Sequence, residues 1–93
     1  MFGYEEFDWD DDNIEHIARH GVEPWEAEDA MLDPDRVGAS ARNVPGERRF
    51  AVVGATGSGR VLFVVFTRRE RGIRVITARD ANDSEKRRYR RRR

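Results

Sequence analysis

Residues 60–79 read RVLFVVFTRRERGIRVITAR, and the rest of the chain has to pack against them. Residues 61–67 are an unbroken apolar and β-branched run, the pattern of a strand buried on both faces. Residues 73–79 are again β-rich but carry Arg74 and Arg79, which marks one of their faces as wet or functional. Between the two runs, Arg68, Arg69, Glu70, Arg71 and Gly72 form a short charged link ending in glycine, as a hairpin with a positive-φ residue requires. Two adjacent antiparallel strands therefore form the predicted centre.

Working outward, residues 47–54 (ERRFAVVG) predict a preceding strand, and the glycine-rich residues 55–59 a turn into the central run. Residues 36–46 are small and polar with Pro45-Gly46 as a turn signal, so they read as a loop or a weak edge strand. Asp12 and Glu15 have capping-box spacing, Ile14, Ile17 and Ala18 recur at helical spacing, and Gly21 stops this first helix after His20. Pro24 opens a second helix whose apolar face is Trp25, Ala27, Met31 and Leu32, ended by Asp33-Pro34. Ahead of both, Phe7-Asp8-Trp9-Asp10 alternates like a short edge strand. Asn82 and Glu85 repeat the capping-box spacing at the start of a final helix, running through Tyr89 into the basic residues 90–93. The predicted fold is α+β: a three- to four-stranded antiparallel meander with two N-terminal helices and one C-terminal helix, all on one face.

Ninety-three residues without a repeat allow one domain, 1–93, divided into an acidic helical part (1–35), the sheet (36–81) and a basic helix or tail (82–93). The formal net charge is zero, yet residues 1–35 hold thirteen of the eighteen acids and one base, while 36–93 hold seventeen bases and five acids. That asymmetry has two readings: the basic half draws a phosphate-bearing partner, or the halves neutralise each other in the fold. There is no cysteine, so disulfides and thiolate metal sites are excluded, and a reducing compartment fits. With no apolar run near the ~20 residues of a membrane span and an acidic N-terminus unlike a secretory signal, a soluble cytoplasmic protein is expected.

Several pieces together carry a resemblance. Phe7-Asp8-Trp9-Asp10, Arg19-His20-Gly21-Val22, Glu47-Arg48, the 62–67 strand, and residues 74–81 (RVITARDA) with Glu85 and Tyr89 occur in the order found in the BrnT family. Across about residues 7–89 the chain resembles these toxins of type II toxin-antitoxin modules, whose fold is similar to the RelE-type ribonucleases. The resemblance implies a metal-independent endoribonuclease that cleaves RNA to 2′,3′-cyclic phosphate ends and inhibits translation, with no cofactor. It also implies a BrnA-type antitoxin that alone contacts operator DNA, in an assembly that is a homodimer or a toxin-antitoxin hetero-tetramer. The chain departs from the family in carrying Arg19 where members often have lysine, and acidic residues over 11–15 where many carry a lysine.

Metal-free cleavage of RNA needs a base for the 2′-hydroxyl, cations for the phosphorane and an acid for the departing 5′-oxygen. His20 is a candidate acid or base because imidazole titrates near neutrality; its alternative is a histidine placed at a helix C-terminus by the dipole. Glu47 is a candidate general base beside Arg48 and Arg49, or else one partner of an ion pair at a strand start. Arg74 and Arg79 are candidate phosphate ligands, since guanidinium is permanently charged and grips two oxygens. Their odd spacing, however, turns them to opposite faces of a regular strand. Arg48, Thr67, Arg88 and Tyr89 complete the candidate RNA-binding set, Thr67 also reading as a sheet-edge residue and Tyr89 as a packing one. His16 and His20 lie four apart, but the spacing nominates no third ligand and no metal site is expected.

Overall fold

The computed structural model describes residues 6–91, so the expectations for Arg92 and Arg93 lie outside the described residues. In chain order the elements are α1 (Asp11–Ala18), α2 (Pro24–Leu32), β1 (Val37–Ala39), β2 (Phe50–Ala55), β3 (Val61–Arg69), β4 (Gly72–Asp80) and α3 (Asp83–Arg90). The strands form one antiparallel sheet in the order β1-β2-β3-β4, an α+β meander with the weak edge strand formed. No helix among the described residues is long and apolar enough to cross a membrane.

β3 does not match the expectation of burial on both faces. Leu62, Val64 and Phe66 are buried while Val61, Phe63 and Val65 are only half-buried, so one face is the core and the other is partly open. Leu62, Val64 and Phe66 pack with Val52, Ile73, Val75 and Ala78 against Ile17, Val22, Ala27, Ala30 and Met31 from the α1–α2 side. Gly54 makes this layer thin: a Cβ there would overlap the Ala30 carbonyl oxygen, so the α2 backbone rests directly on β2. Trp25 and Leu32, expected in the α2 apolar face, instead point outward at 52% and 47% exposure. The small Ala27 and Ala30 sit with Met31 in the contact, and the closest approach to β2 is at Ala30.

The third helix also departs from expectation. Val53 and Phe63 pair with each other, and Phe63 with Arg79, which puts all three on the face turned away from α1 and α2. Arg79 is held there by Glu85 of α3, and Val53 is fully buried. The helices therefore lie on both faces, with α3 crossing the second one. Its capping box at Asn82 and Glu85 forms as the spacing predicts.

At the N-terminus the cap is Asp10 rather than Asp12. Asp10 is extended, its carboxylate accepts from the backbone of Asp12 at 3.0 Å and Asn13 at 3.3 Å, and the Asn13 side chain accepts from the Asp10 N–H at 2.8 Å. Starting α1 there buries Asn13, whose amide donates to the carbonyls of Asp8 and Val75 and so ties the helix to β4. Ahead of it the expected edge strand reduces to a single parallel bridge, Phe7 to Ile73. Phe7 and Trp9 lean on the core, and the Trp9 indole donates to Glu28 at 2.7 Å.

β3 and β4 run longer than predicted, leaving only Glu70 and Arg71 between them. Gly72 has φ +126°, and a Cβ there would strike the Glu6 carbonyl. Further along, the register slips: Phe66 faces Val75 but Val65 faces Thr77, so Ile76 is one extra residue bulged out of β4. This bulge removes the parity difficulty between Arg74 and Arg79. Arg74 pairs with Thr67 and Arg79 with Phe63, four residues apart on β3, so both arginines project from the second face.

Candidate active site

Arg69, on the same side of β3 as Thr67, brings a third guanidinium to that second face, so Arg69, Arg74 and Arg79 stand along it in a row. Measured along β3, the steps from Arg69 to the positions facing Arg74 and Arg79 are roughly 7 Å and then roughly 13 Å. Val65 and Thr77 lie half-buried between them.

Each arginine holds a carboxylate. Arg69 donates to Glu47 at 2.8 Å, and Arg49 reaches the other oxygen of the same carboxylate at 3.1 Å. The hydrogen bond from Arg69, then that from Arg49, hold the Glu47 carboxyl below the usual glutamate range, so it is ionised at neutral pH. Arg74 grips both oxygens of Asp10 at 3.0 Å, with Asp8 behind at 3.7 Å. That grip lowers the Asp10 pKa and raises the Arg74 one. Arg79 forms the same two-pronged pair with Glu85 at 2.8 and 3.0 Å, lowering the Glu85 pKa, and lies 4.3 Å over the Phe63 ring. Asp8 and Asp10 of the front segment thus neutralise Arg74 of the basic half, while Glu47 and Glu85 pair with Arg69 and Arg79 within that half.

Glu47, Arg48, Phe50, Thr67, Arg68 and Arg69 line a cleft of about 360 Å³ at the hairpin end of β3. A neighbouring cleft holds Arg74 with Asp8 and Asp10, and Arg69 lines both. Glu47, Arg48 and Thr67 are thereby brought together, with Arg74 next door. Thr67 is buried to 2% exposure and its hydroxyl donates to the Arg48 carbonyl at 2.7 Å, which fixes the backbone carrying Arg48.

His20 stands apart. It is exposed after α1, next to Gly21, whose carbonyl accepts from Arg60 at 2.9 Å; Arg60 also binds Glu26 and Asp80 at the far end of β3. Nine residues of β3 separate that end from Arg69, on the order of 25 Å, so His20 and Glu47 do not meet on one phosphate. On α3, Arg88 is exposed, and the Tyr89 hydroxyl donates to Asp33 at 2.6 Å, fastening α3 to the end of α2. Among the described residues no three His, Asp or Glu side chains converge as a metal site would need.

A family model described as the ribonuclease toxin BrnT of type II toxin-antitoxin systems matches residues 9–85. The chain belongs to the BrnT family. No individual curated protein matches it significantly. BrnT membership makes this fold that of a ribonuclease toxin, and a type II system supplies a protein antitoxin as its partner.

In this BrnT chain the sequence reading missed Arg69 and Asp10. Arg69 sits in a run of five charged or turn residues where nothing distinguishes one arginine from the next, and only the pairing register singles it out. Asp10 had a usable signal: it stands three residues before Asn13, which can complete a capping box as Glu or Gln does.

Proposed function

We propose that this BrnT chain is a metal-independent endoribonuclease whose reacting centre is the second sheet face around Glu47 and Arg69. The observation that carries the reading is the bulge-corrected row of Arg69, Arg74 and Arg79 on one face, with an ionised carboxylate beside the first. An RNA strand laid along the row places phosphates against the guanidiniums, which exchange their carboxylate partners for phosphate oxygens. Glu47 accepts the proton of the 2′-hydroxyl, the 2′-oxygen attacks phosphorus, and the bond to the 5′-oxygen breaks as that oxygen takes a proton from water. Arg69 and Arg74 stabilise the extra negative charge on the phosphorane, Arg79 holds a phosphate further along the strand, and Arg48 and Phe50 line the entrance. The exposed Arg88 and the rest of α3 add sequence-independent attraction, and His20 lies outside the centre.

In the cell, RNA cleavage of this kind inhibits translation, and a BrnA-type antitoxin that itself contacts operator DNA holds the toxin inactive in a cytoplasmic complex. The purified chain incubated with RNA in EDTA tests the chemistry. Products ending in 2′,3′-cyclic phosphate are expected; cleavage that needs added metal, or 3′-hydroxyl products, overturns it. One observation favours a second reading, a non-catalytic binding module: each arginine of the row already holds a carboxylate. Intact RNA retained by the protein selects that reading.

A further inference from the structure

The α1–α2 side of the molecule has a surface that the RNA chemistry does not use. Trp25 and Leu32 are the large hydrophobic residues left exposed among the described residues, and both sit on the outer face of α2. They are seven residues apart, two helical turns and roughly 10 Å along the axis, so they share one stripe. Glu28 and Asp29 fall between them, at the helical spacings of i+3 and i+4 from Trp25. Glu28 accepts from the Trp9 indole and Asp29 from the Gly57 backbone at 2.9 Å. These donors are uncharged: they fix both carboxylates in place, and among the described residues neither carboxylate is in an ion pair. Leu32 and Asp29 continue into a cleft of about 370 Å³ against Pro34 and Ala55.

We infer that this stripe is the anchor for the antitoxin, which meets it with a segment whose apolar side chains are flanked by lysine or arginine. The inference rests on the toxin-antitoxin reading of the family and adds the surface through which the partner binds. The charge argument selects the occupant. Nucleic acid is repelled by Glu28 and Asp29 on the acidic half of the chain, whereas a basic amphipathic protein segment gains both contacts. A rigid aromatic beside an aliphatic residue, rimmed by fixed charges, is also how energetically dominant contacts are built.

The test co-expresses the chain with its cognate antitoxin and measures affinity for the Trp25→Ala, Leu32→Ser and Asp29→Asn variants. Because Trp25 and Leu32 are exposed, those variants keep their melting temperature and ribonuclease activity. The expected result is a loss of antitoxin affinity of about thirtyfold or more for Trp25→Ala. For Asp29→Asn a smaller loss is expected, which fades at high salt. Wild-type affinity in the Trp25→Ala, Leu32→Ser double variant overturns the inference. So does sedimentation showing that the wild-type chain alone dimerises and the double variant does not, with antitoxin binding unchanged, since the occupant is then a second copy. If the wild-type chain binds no antitoxin, the toxin-antitoxin reading itself fails and takes the anchor with it.

Discussion

Arg69→Ala separates the two tasks given to that guanidinium: contact with phosphate and control of Glu47. A hydrogen bond from a charged donor is worth about 1.5–3 kcal/mol. With tenfold per about 1.4 kcal/mol, losing the Arg69 contact to the phosphorane lowers kcat/KM by about 10- to 150-fold. The second effect is on pH dependence. The Arg69 hydrogen bond is the largest influence holding Glu47 below the usual glutamate range, and Arg49 at 3.1 Å remains when it is gone. The Glu47 pKa therefore rises part of the way back, and the acid limb of the kcat/KM profile moves to higher pH. Stability changes little: the Arg69 side chain is 47% exposed, so its ion pair contributes under about 1 kcal/mol. Cleavage of a fluorescently labelled RNA followed from acid to neutral pH, with a thermal melt of each protein, checks all three. Activity within about threefold of the parent refutes the placement of the centre; a large loss with an unmoved acid limb refutes Glu47 as the base.

Three other outcomes follow from the same structure. Asp10→Asn keeps an oxygen for the α1 cap but removes the charge that Arg74 grips, so RNA binds several-fold more tightly in a filter or anisotropy assay; weaker binding counts against Arg74 as a phosphate ligand. Gly54→Ala drives a methyl group into the Ala30 carbonyl, and with the carbonyl carbon only 2.9 Å away the α2 backbone must lift, costing about 3 kcal/mol and lowering Tm by more than about 10 °C. Asp10, Glu47, Asp80 and Glu85 all have pKa values lowered by arginine partners, so their folded values lie below the unfolded ones. Their stabilisation is complete above the ordinary carboxylate range and is lost as pH falls through the lowered values, so Tm is level from about pH 8 to about pH 5 and drops below about pH 4.

Much of the architecture was legible because it is written in local signals. Gly72 marks the hairpin, Pro24 and the Asn82–Glu85 pair mark helix starts, and the valine-rich runs mark the strands. What escaped depends on partners distant in sequence. An apolar run such as residues 61–67 does not say whether one covering layer or two will form over it, and α3 covers only part of the second face. Among three consecutive aspartates, the cap went to Asp10 because Asn13 could then satisfy a carbonyl of β4 sixty-two residues away. The candidate site shows the same division. Arg74 and Arg79 were chosen for their chemistry, but their common face comes from a pairing slip that sequence parity argues against.

That slip leaves β4 with slack. If Ile76 were deleted, Val75 and Thr77 would become ordinary neighbours on opposite sides of the pleat, each still across from its present partner. Arg74 and Arg79 would keep their orientation, and only the local twist of the ribbon would relax. A one-residue deletion in β3 has no such reserve, because every side chain beyond the cut would swap between oil and water. Of the two strands at the heart of the molecule, the edge one can lose length at a single point and the inner one cannot.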